Sequence, residues 1–174
     1  SRGLGDVYKR QGVVGAQRDS SITGCSSSAT VKGTLNVGGV AGQTIFGATL
    51  TACYATGNVI IEIDRTQNIS GGGLVGFNDG ISLLSCYATG NVTSTGSSTG
   101  YVHIGGFLGD NYITVTACYW KNNHEQGIGY NRISSTKATK VDGTSVTWKN
   151  AVDAMNTALQ NAGSKWRYEL KGAL

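Results

Sequence analysis

The chain has 174 residues, of which 27 are glycine, none is proline and only 14% are charged. No apolar run approaches the roughly 18 residues of a transmembrane helix, so we expect no membrane span. Residues 1–11 contribute +2 of the formal net charge of +4, and the small remainder argues against a nucleic-acid partner.

The first eleven residues do not look like part of a fold. One reading frame of a common sequencing-library transposon end translates to "DVYKRQ", the sequence at positions 6–11. We therefore interpret residues 1–11 as an adapter-derived artefact on a fragment and leave them out of the fold prediction. On this interpretation the natural N-terminus is missing, so a signal peptide could not be observed.

A short unit recurs from residue 12 to residue 120. It begins with a glycine, two apolar residues and a glycine, found as "GVVG" (12–15), "GVAG" (39–42), "GLVG" (73–76) and "GFLG" (106–109). The later copies follow at steps of 34 and 33 residues. Each copy is followed by a cysteine, so all four cysteines of the chain share one repeat position: Cys25, Cys53, Cys86 and Cys118. A period of about 20–50 residues is typical of solenoids and other repeat folds.

The stretch "CYATGNV" occurs twice, at 53–59 and 86–92. Units of short strands bury a face only when they stack, with paired strands about 4.8 Å apart. We therefore predict an all-β fold, a parallel and right-handed β-helix-like solenoid of about four coils. Alternation along the stretch predicts three inward residues in each copy: Cys53, Ala55 and Val59, and Cys86, Ala88 and Val92.

The "GLVG" box, its three variants and "CYATGNV" together resemble the GLUG-motif repeat family of bacterial surface and secreted proteins. The resemblance covers residues 12–120 in four copies, of which the first departs most, with "CSSSATV" in place of "CYATGNV". It implies an extracellular or cell-surface location in a bacterium. It brings no catalytic residues with it.

The four cysteines could form disulfides in three connectivities. Adjacent parallel strands carry their Cβ atoms side by side, which is poor disulfide geometry. We therefore favour a ladder of buried, free thiols. The chain has no closely spaced cysteine pair and only two histidines, His103 and His124, so we predict no zinc site.

Other patterns that could carry chemistry are weak. "GGGLVG" (71–76) fits the dinucleotide fingerprint but no helical period follows it, so we interpret its glycines as tight corners. Asp79 and Asp110 could be imagined as a glycosidase pair, yet they stand at different repeat positions beside Asn78 and Asn111 and are interpreted as solvated turn residues. We predict no catalytic residue, metal or cofactor.

Two further carboxylates, Glu62 and Asp64, share a strand face with no basic partner nearby in the sequence.

Next to the cysteines, alternation places three tyrosines on the outer face, and these are the candidate binding residues: Tyr54, Tyr87 and Tyr119. They would stack as an exposed ladder for sugar rings or a protein partner. Alternatively, cross-coil packing or the C-terminal segment covers them, which we favour.

Residues 121–174 differ from the repeats, with eight basic and four acidic residues against three and five in 12–120. We predict that they form a C-terminal cap over the open end of the stack. An amphipathic helix is predicted from the spacing of Trp148, Val152, Met155 and Leu159, ending before Gly163. Trp166, Tyr168 and Leu170 alternate with charged residues as in an edge strand.

The pattern favours a non-enzymatic cell-surface or secreted repeat module, an adhesin-like structural or binding stalk. It would be monomeric and would bind a glycan or a surface protein. The alternative is a β-solenoid carbohydrate-active enzyme, or an accessory region of one. Clustered carboxylates or basic residues on one face would favour the enzyme, and an exposed tyrosine strip would favour binding.

Overall fold

A computed structural model of the chain describes residues 9–63, 66–80 and 82–171. Coil 1 consists of β1 (Lys9–Gln11), β2 (Val14–Arg18), β3 (Ser21–Thr23), β4 (Ser26–Ser27) and β5 (Val31–Gly33). Coil 2 consists of β6 (Asn36–Gly38), β7 (Ala41–Ile45), β8 (Thr49–Thr51), β9 (Tyr54–Ala55) and β10 (Val59–Glu62). Coil 3 consists of β11 (Ile69–Gly72), β12 (Val75–Asp79), β13 (Ser82–Leu84), β14 (Tyr87–Ala88) and β15 (Val92–Thr95).

Coil 4 consists of β16 (Val102–Gly105), β17 (Leu108–Asn111), β18 (Thr114–Thr116) and β19 (Tyr119–Trp120). Beyond residue 120, β20 (Ile128–Asn131) and β21 (Thr139–Lys140) pair with β17 and β19 and add part of a fifth coil. The stack therefore continues into the segment that was predicted to be the cap.

Equivalent strands of successive coils pair in parallel and build five sheets along the stack. Sheet A is β1-β6-β11-β16, sheet B is β2-β7-β12-β17-β20, sheet C is β3-β8-β13-β18, sheet D is β4-β9-β14-β19-β21 and sheet E is β5-β10-β15. The predicted all-β parallel solenoid is confirmed. The backbone of Lys9–Gln11, within the segment interpreted as an adapter, pairs with β6, and residues 1–8 lie outside the described part of the chain.

The two copies of "CYATGNV" lie directly above one another. Tyr54 pairs with Tyr87, and Val59 pairs with Val92. All six residues predicted to face inward are fully buried: Cys53, Ala55, Val59, Cys86, Ala88 and Val92. Exact repetition thus fills the core with one set of side chains in each coil.

The glycine boxes form the corner between sheets A and B, where the two backbones approach closely. A Cβ on Gly76 would lie 2.5 Å from Val37 N and 2.8 Å from Ser70 O. A Cβ on Gly73 would collide with Gly106 O in the next coil. The box is therefore a device for close backbone packing, in agreement with the structural interpretation of "GGGLVG".

Sheet B carries a row of polar side chains that we call the asparagine ladder: Thr44, Asn78 and Asn111, which are buried, and Asn131, which is half-buried. Thr44 Oγ1 donates to Asn78 Oδ1 at 2.5 Å, and Asn78 Nδ2 donates to Asn111 Oδ1 at 2.8 Å. Asn111 Nδ2 donates to Asn131 Oδ1 at 2.8 Å. Asn78 and Asn111, which the sequence analysis named only as neighbours of Asp79 and Asp110 in turn-like sequence, are fully buried strand residues.

The chain passes from sheet C to sheet D through a left-handed corner that repeats in every coil. Positive φ angles of 65°, 52°, 52° and 48° occur there, in Gly24, Ala52, Ser85 and Ala117. Each of these residues immediately precedes a cysteine. Only the first copy supplies a glycine, so the later corners hold strained backbone that the surrounding stack must stabilise.

The helix α1 (Trp148–Asn161) begins at a capping box between Thr147 and Asn150 and is followed by Gly163 with a φ of 70°. It buries Ala151, Met155 and Leu159, as its sequence period predicts. It is shorter than a membrane span, and the described part of the chain contains no helix that could cross a membrane.

The helix and the segment after it lie along the side of the stack. The sequence predicted instead that they would cover its open end. Ser85 Oγ of coil 3 donates to Met155 O at 2.9 Å, and the Trp166 ring lies against Gly24 of coil 1. The reason for the difference is that β20 and β21 already extend coil 4, while the tyrosine row offers an apolar side surface. We call residues 164–171 the strap; the predicted edge strand there is wrong, because the strap contains no strand.

Candidate functional site

The predicted tyrosine row is stacked but largely covered. The rings of Tyr54 and Tyr87 are parallel within 3°, with centroids 4.7 Å apart. Tyr119 is only 9% exposed and packs in one apolar cluster with Met155 of the helix. The cover that the sequence analysis favoured over an exposed ladder is present at Tyr119, and binding by Tyr54, Tyr87 and Tyr119 stays a prediction.

The cover over this row comes from the C-terminal segment. Tyr168 places its ring edge-on to Tyr87 at 5.6 Å and to Tyr54 at 6.4 Å, and its hydroxyl donates to Ser85 O at 2.8 Å. The Trp148 ring also lies edge-on to Tyr87, with the centroids 5.3 Å apart. Burial, with a smaller contribution from Tyr54, raises the pKa of Tyr87 to about 12. The tyrosine row is therefore part of the packing of the helix and the strap against the stack.

The four cysteines are free, and three of them are buried in the core: Cys53, Cys86 and Cys118. Cys25, in the outermost described coil, is half-buried. Burial raises the pKa of Cys86 well above its ordinary value, and a hydrogen bond with Cys86 raises that of Cys53. The interpretation as a free-thiol ladder is confirmed for the three buried residues.

We expect one fast and three protected thiols when the native protein is treated with a maleimide at pH 8. Cys25 should react first, since the side chains of the other three cysteines are buried and out of reach of the reagent. In denaturant all four should react at similar rates, and the variant Cys25→Ser should lose the fast phase. Mass spectrometry of timed samples measures this, and equal native rates at all four positions would contradict the buried ladder.

The outer faces of sheets A and B enclose an open groove of about 390 Å³. Sheet A contributes the row Asn36, Ser70 and His103, which are register partners in successive coils. Sheet B contributes the row Gln43, Phe77, Asp110 and Tyr130, again one residue from each coil. The lining of the groove includes these two rows as far as His103 and Asp110, together with Tyr101 and Tyr112, and Tyr130 stands beside it as the next residue of the second row. The groove was not predicted from the sequence.

An aromatic strip runs along the groove. The rings of Tyr101 and His103 stack at 5.7 Å, and those of His103 and Tyr130 stack at 4.9 Å. Tyr112 contacts Tyr130 at 6.0 Å and Phe77 at 5.5 Å. Tyr101 is 69% exposed and Tyr130 is 42% exposed. Large exposed aromatic rings at the rim of a concave surface are typical of binding sites.

Asp110 holds the strip in place from below. Its Oδ1 lies 2.6 Å from His103 Nδ1, and its Oδ2 accepts a hydrogen bond from the Ser70 hydroxyl. The side chain of Asp110 is 8% exposed. The prediction of a solvated turn residue is therefore wrong, because Asp110 lies within β17 and its carboxylate joins sheet A to sheet B.

The order of these three groups differs from that of a nucleophilic triad. In a triad the histidine lies between the hydroxyl and the carboxylate and takes the hydroxyl proton. Here Asp110 lies between Ser70 and His103, so His103 cannot activate Ser70 by that route. Asp110 is also the one carboxylate among the described residues that line the groove, whereas most glycosidases use two. The arrangement is suited to holding a ligand.

The other carboxylates considered from the sequence lie elsewhere. Glu62 pairs with Lys32 of the neighbouring coil at 2.8 Å, so the prediction that it lacks a basic partner is wrong. The sequence separation hides this pair, because β5 and β10 are adjacent strands of sheet E in which residue 32 is the register partner of residue 60. Asp79 is exposed at the end of β12, and Asp64 lies outside the described residues.

Comparison with known protein families identifies the repeating unit. Residues 67–93 match the GLUG motif, and this span covers most of coil 3. No curated protein and no solved structure matches the chain. Because coils 2 and 4 pair with the matched coil residue by residue, the motif corresponds to one repeating coil of the stack.

Proposed function

We propose that this GLUG-motif repeat protein is a non-enzymatic binding module of a bacterial cell-surface or secreted protein. The solenoid serves as an adhesin-like stalk, and the groove on its side is the recognition site. The observation that carries the proposal is the open strip of Tyr101, His103 and Tyr130, which Asp110 fixes to two sheets. We expect the module to act as a monomer.

The construction of the strip supports binding. His103 and Tyr130 belong to strands that are paired within the stack, and Tyr101, directly before β16, accepts a hydrogen bond from Ile69 N of the neighbouring coil. Little backbone freedom is therefore lost when a ligand binds. The low fraction of charged residues and the burial of three free thiols suit an exported repeat module, because a buried thiol is protected from oxidants.

A carbohydrate-active enzyme, or an accessory region of one, is the second candidate. The pair His103–Asp110 favours it, because a histidine oriented by a carboxylate is a common general acid or base. Against it stands the engagement of both Asp110 oxygens, by His103 and by Ser70.

Binding and cleavage can be separated in one experiment. The purified chain is incubated with immobilised polysaccharides and with surface glycoproteins, and both retention and released reducing ends are measured. We expect retention without release, and heat-unfolded protein is the control. Release of reducing ends that disappears in the variant His103→Ala would contradict the proposal and favour the enzyme.

A further inference from the structure

We propose that the groove between sheets A and B binds a neutral oligosaccharide. This inference rests on the proposed binding function and adds the site and the class of ligand. It places recognition on a different face from the tyrosine row Tyr54–Tyr87–Tyr119. Its grounds are the shape of the groove, the chemistry of its polar side chains and its charge.

The exposed rings supply apolar faces. Tyr101 stacks on His103 with one face and is 69% exposed overall, so its other face is open to solvent. Sugar rings present patches of C–H groups that pack on such faces, and aromatic side chains bury large areas with little loss of entropy. Tyr101 at one end and Tyr130 at the other therefore frame a platform for more than one sugar ring.

The polar side chains of the groove are amides and hydroxyls. Asn36 and Gln43 lie side by side with a long contact of 3.5 Å between Nδ2 and Oε1, so they remain available for a ligand. Asn68 is exposed at the rim, where its Oδ1 accepts from Tyr101 N. An amide offers both donors and an acceptor, which matches the hydroxyl groups of a sugar.

The charge of the groove favours a neutral ligand. No lysine or arginine is among the described residues that line it, although an acidic polysaccharide would call for such side chains. Both oxygens of Asp110 are already engaged by Ser70 and His103, so a cationic sugar gains little from this carboxylate. The Arg132 guanidinium lies over the ring of Tyr112 at 5.6 Å, but Arg132 itself does not line the groove.

The length of the groove favours an oligosaccharide. Its sheet B lining passes from Gln43 in coil 2 to Asp110 in coil 4, and Tyr130 continues the same row by one further step into the partial fifth coil. Three steps between paired strands amount to about 14 Å. The volume of about 390 Å³ lies within the range of small-molecule sites.

Affinity electrophoresis and calorimetry with defined polysaccharides test the inference. The probes are a neutral β-glucan, a neutral galactomannan, acidic polygalacturonate and cationic chitosan oligomers. We expect at least one neutral probe to bind, and the variants Tyr101→Ala and Tyr130→Ala to bind it about 10-fold more weakly. The exposed Tyr101 can be removed without disturbing the core, and Tyr101→Phe, which keeps the ring, should retain most of the affinity.

The matched control is Phe46→Ala, which removes another exposed aromatic ring outside the groove; Phe46 is 57% exposed and contacts Arg18. Its affinity for the neutral probe should equal that of the parent protein. Three results would contradict a neutral-saccharide groove without contradicting the proposed binding function. They are binding of polygalacturonate alone, binding that Tyr101→Ala leaves unchanged, and retention of a surface protein alone. Cleavage of a probe would instead overturn the proposed function itself.

Discussion

Replacing Asn111 with alanine is expected to lower the free energy of unfolding by about 4 kcal/mol. Asn111 is fully buried and stands in the middle of the asparagine ladder. Its Nδ2 donates to Asn131 Oδ1 at 2.8 Å and to Ile113 O at 2.9 Å, and its Oδ1 accepts from Asn78 at 2.8 Å. Alanine leaves these three partners without their bonds to Asn111, and each group left unpaired inside the stack costs about 1–3 kcal/mol.

Urea unfolding followed by far-ultraviolet circular dichroism measures this loss. The control is Asn91→Ala at an exposed position of the same coil stack, which should change the free energy by less than about 0.5 kcal/mol. If the two variants unfolded at the same urea concentration, the ladder would not be a source of stability.

The repeat allowed the fold and most of the core to be predicted. Two identical copies of "CYATGNV", 33 residues apart, imply that the same side chains meet in neighbouring coils. In a parallel stack this condition fixes both the register and the face of each residue. Cys53 and Cys86 were therefore assigned to the core although cysteines elsewhere often carry chemistry.

The asparagine ladder was missed although its signal was present. Two residues after each glycine box the chain has Gln17, Thr44, Asn78 and Asn111. A polar residue recurring at one position of a repeat indicates a stacked hydrogen-bonded row as readily as a turn. Neighbouring Asp79, Gly80 and Asp110 favoured the turn, because asparagine, aspartate and glycine are enriched there.

The groove was missed because its residues do not recur from coil to coil, whereas those of the asparagine ladder do. Tyr101 and His103 occupy positions where the preceding coil has Asn68 and Ser70, so they form no ladder in the aligned repeats. Tyr130 lies beyond residue 120, in the segment assigned to the cap. A repeat shows which residues every coil needs for stacking. A binding site that occurs once uses residues at positions where the repeat is broken, so the repeat does not reveal it.

The position of the helix depends on contacts that no local pattern reveals. Its apolar stripe predicted the helix and the buried residues Met155 and Leu159, which is confirmed. The surface that it covers contains Tyr87, Ala117 and Tyr119 of the repeats. A stripe of this kind fits either the end of a stack or its side, and only the tertiary structure decides between them.

Replacing Gly73 with alanine is expected to lower the free energy of unfolding by at least about 3 kcal/mol. A Cβ at this position collides with the backbone oxygen of Gly106 in the next coil and comes within 2.9 Å of the Ala88 Cβ. The backbone of this corner is held by hydrogen bonds between coils, such as that from Gly106 N to Gln126 O, and cannot move aside as a flexible side chain can. The collision also repeats, because Gly39 stands in the same relation to Gly73 O, so relief at one coil transfers the displacement to the next.

The matched control is Gly163→Ala, where no atom lies within 4 Å of the added Cβ but φ is 70°. That variant carries only the cost of a left-handed alanine, about 1 kcal/mol. Thermal and urea unfolding of both variants separate the two causes, since one glycine is needed for space and the other for its backbone angle. Equal losses in the two variants would show that the glycine box is not required for close stacking, and the shared "GLVG" pattern would then need another physical explanation.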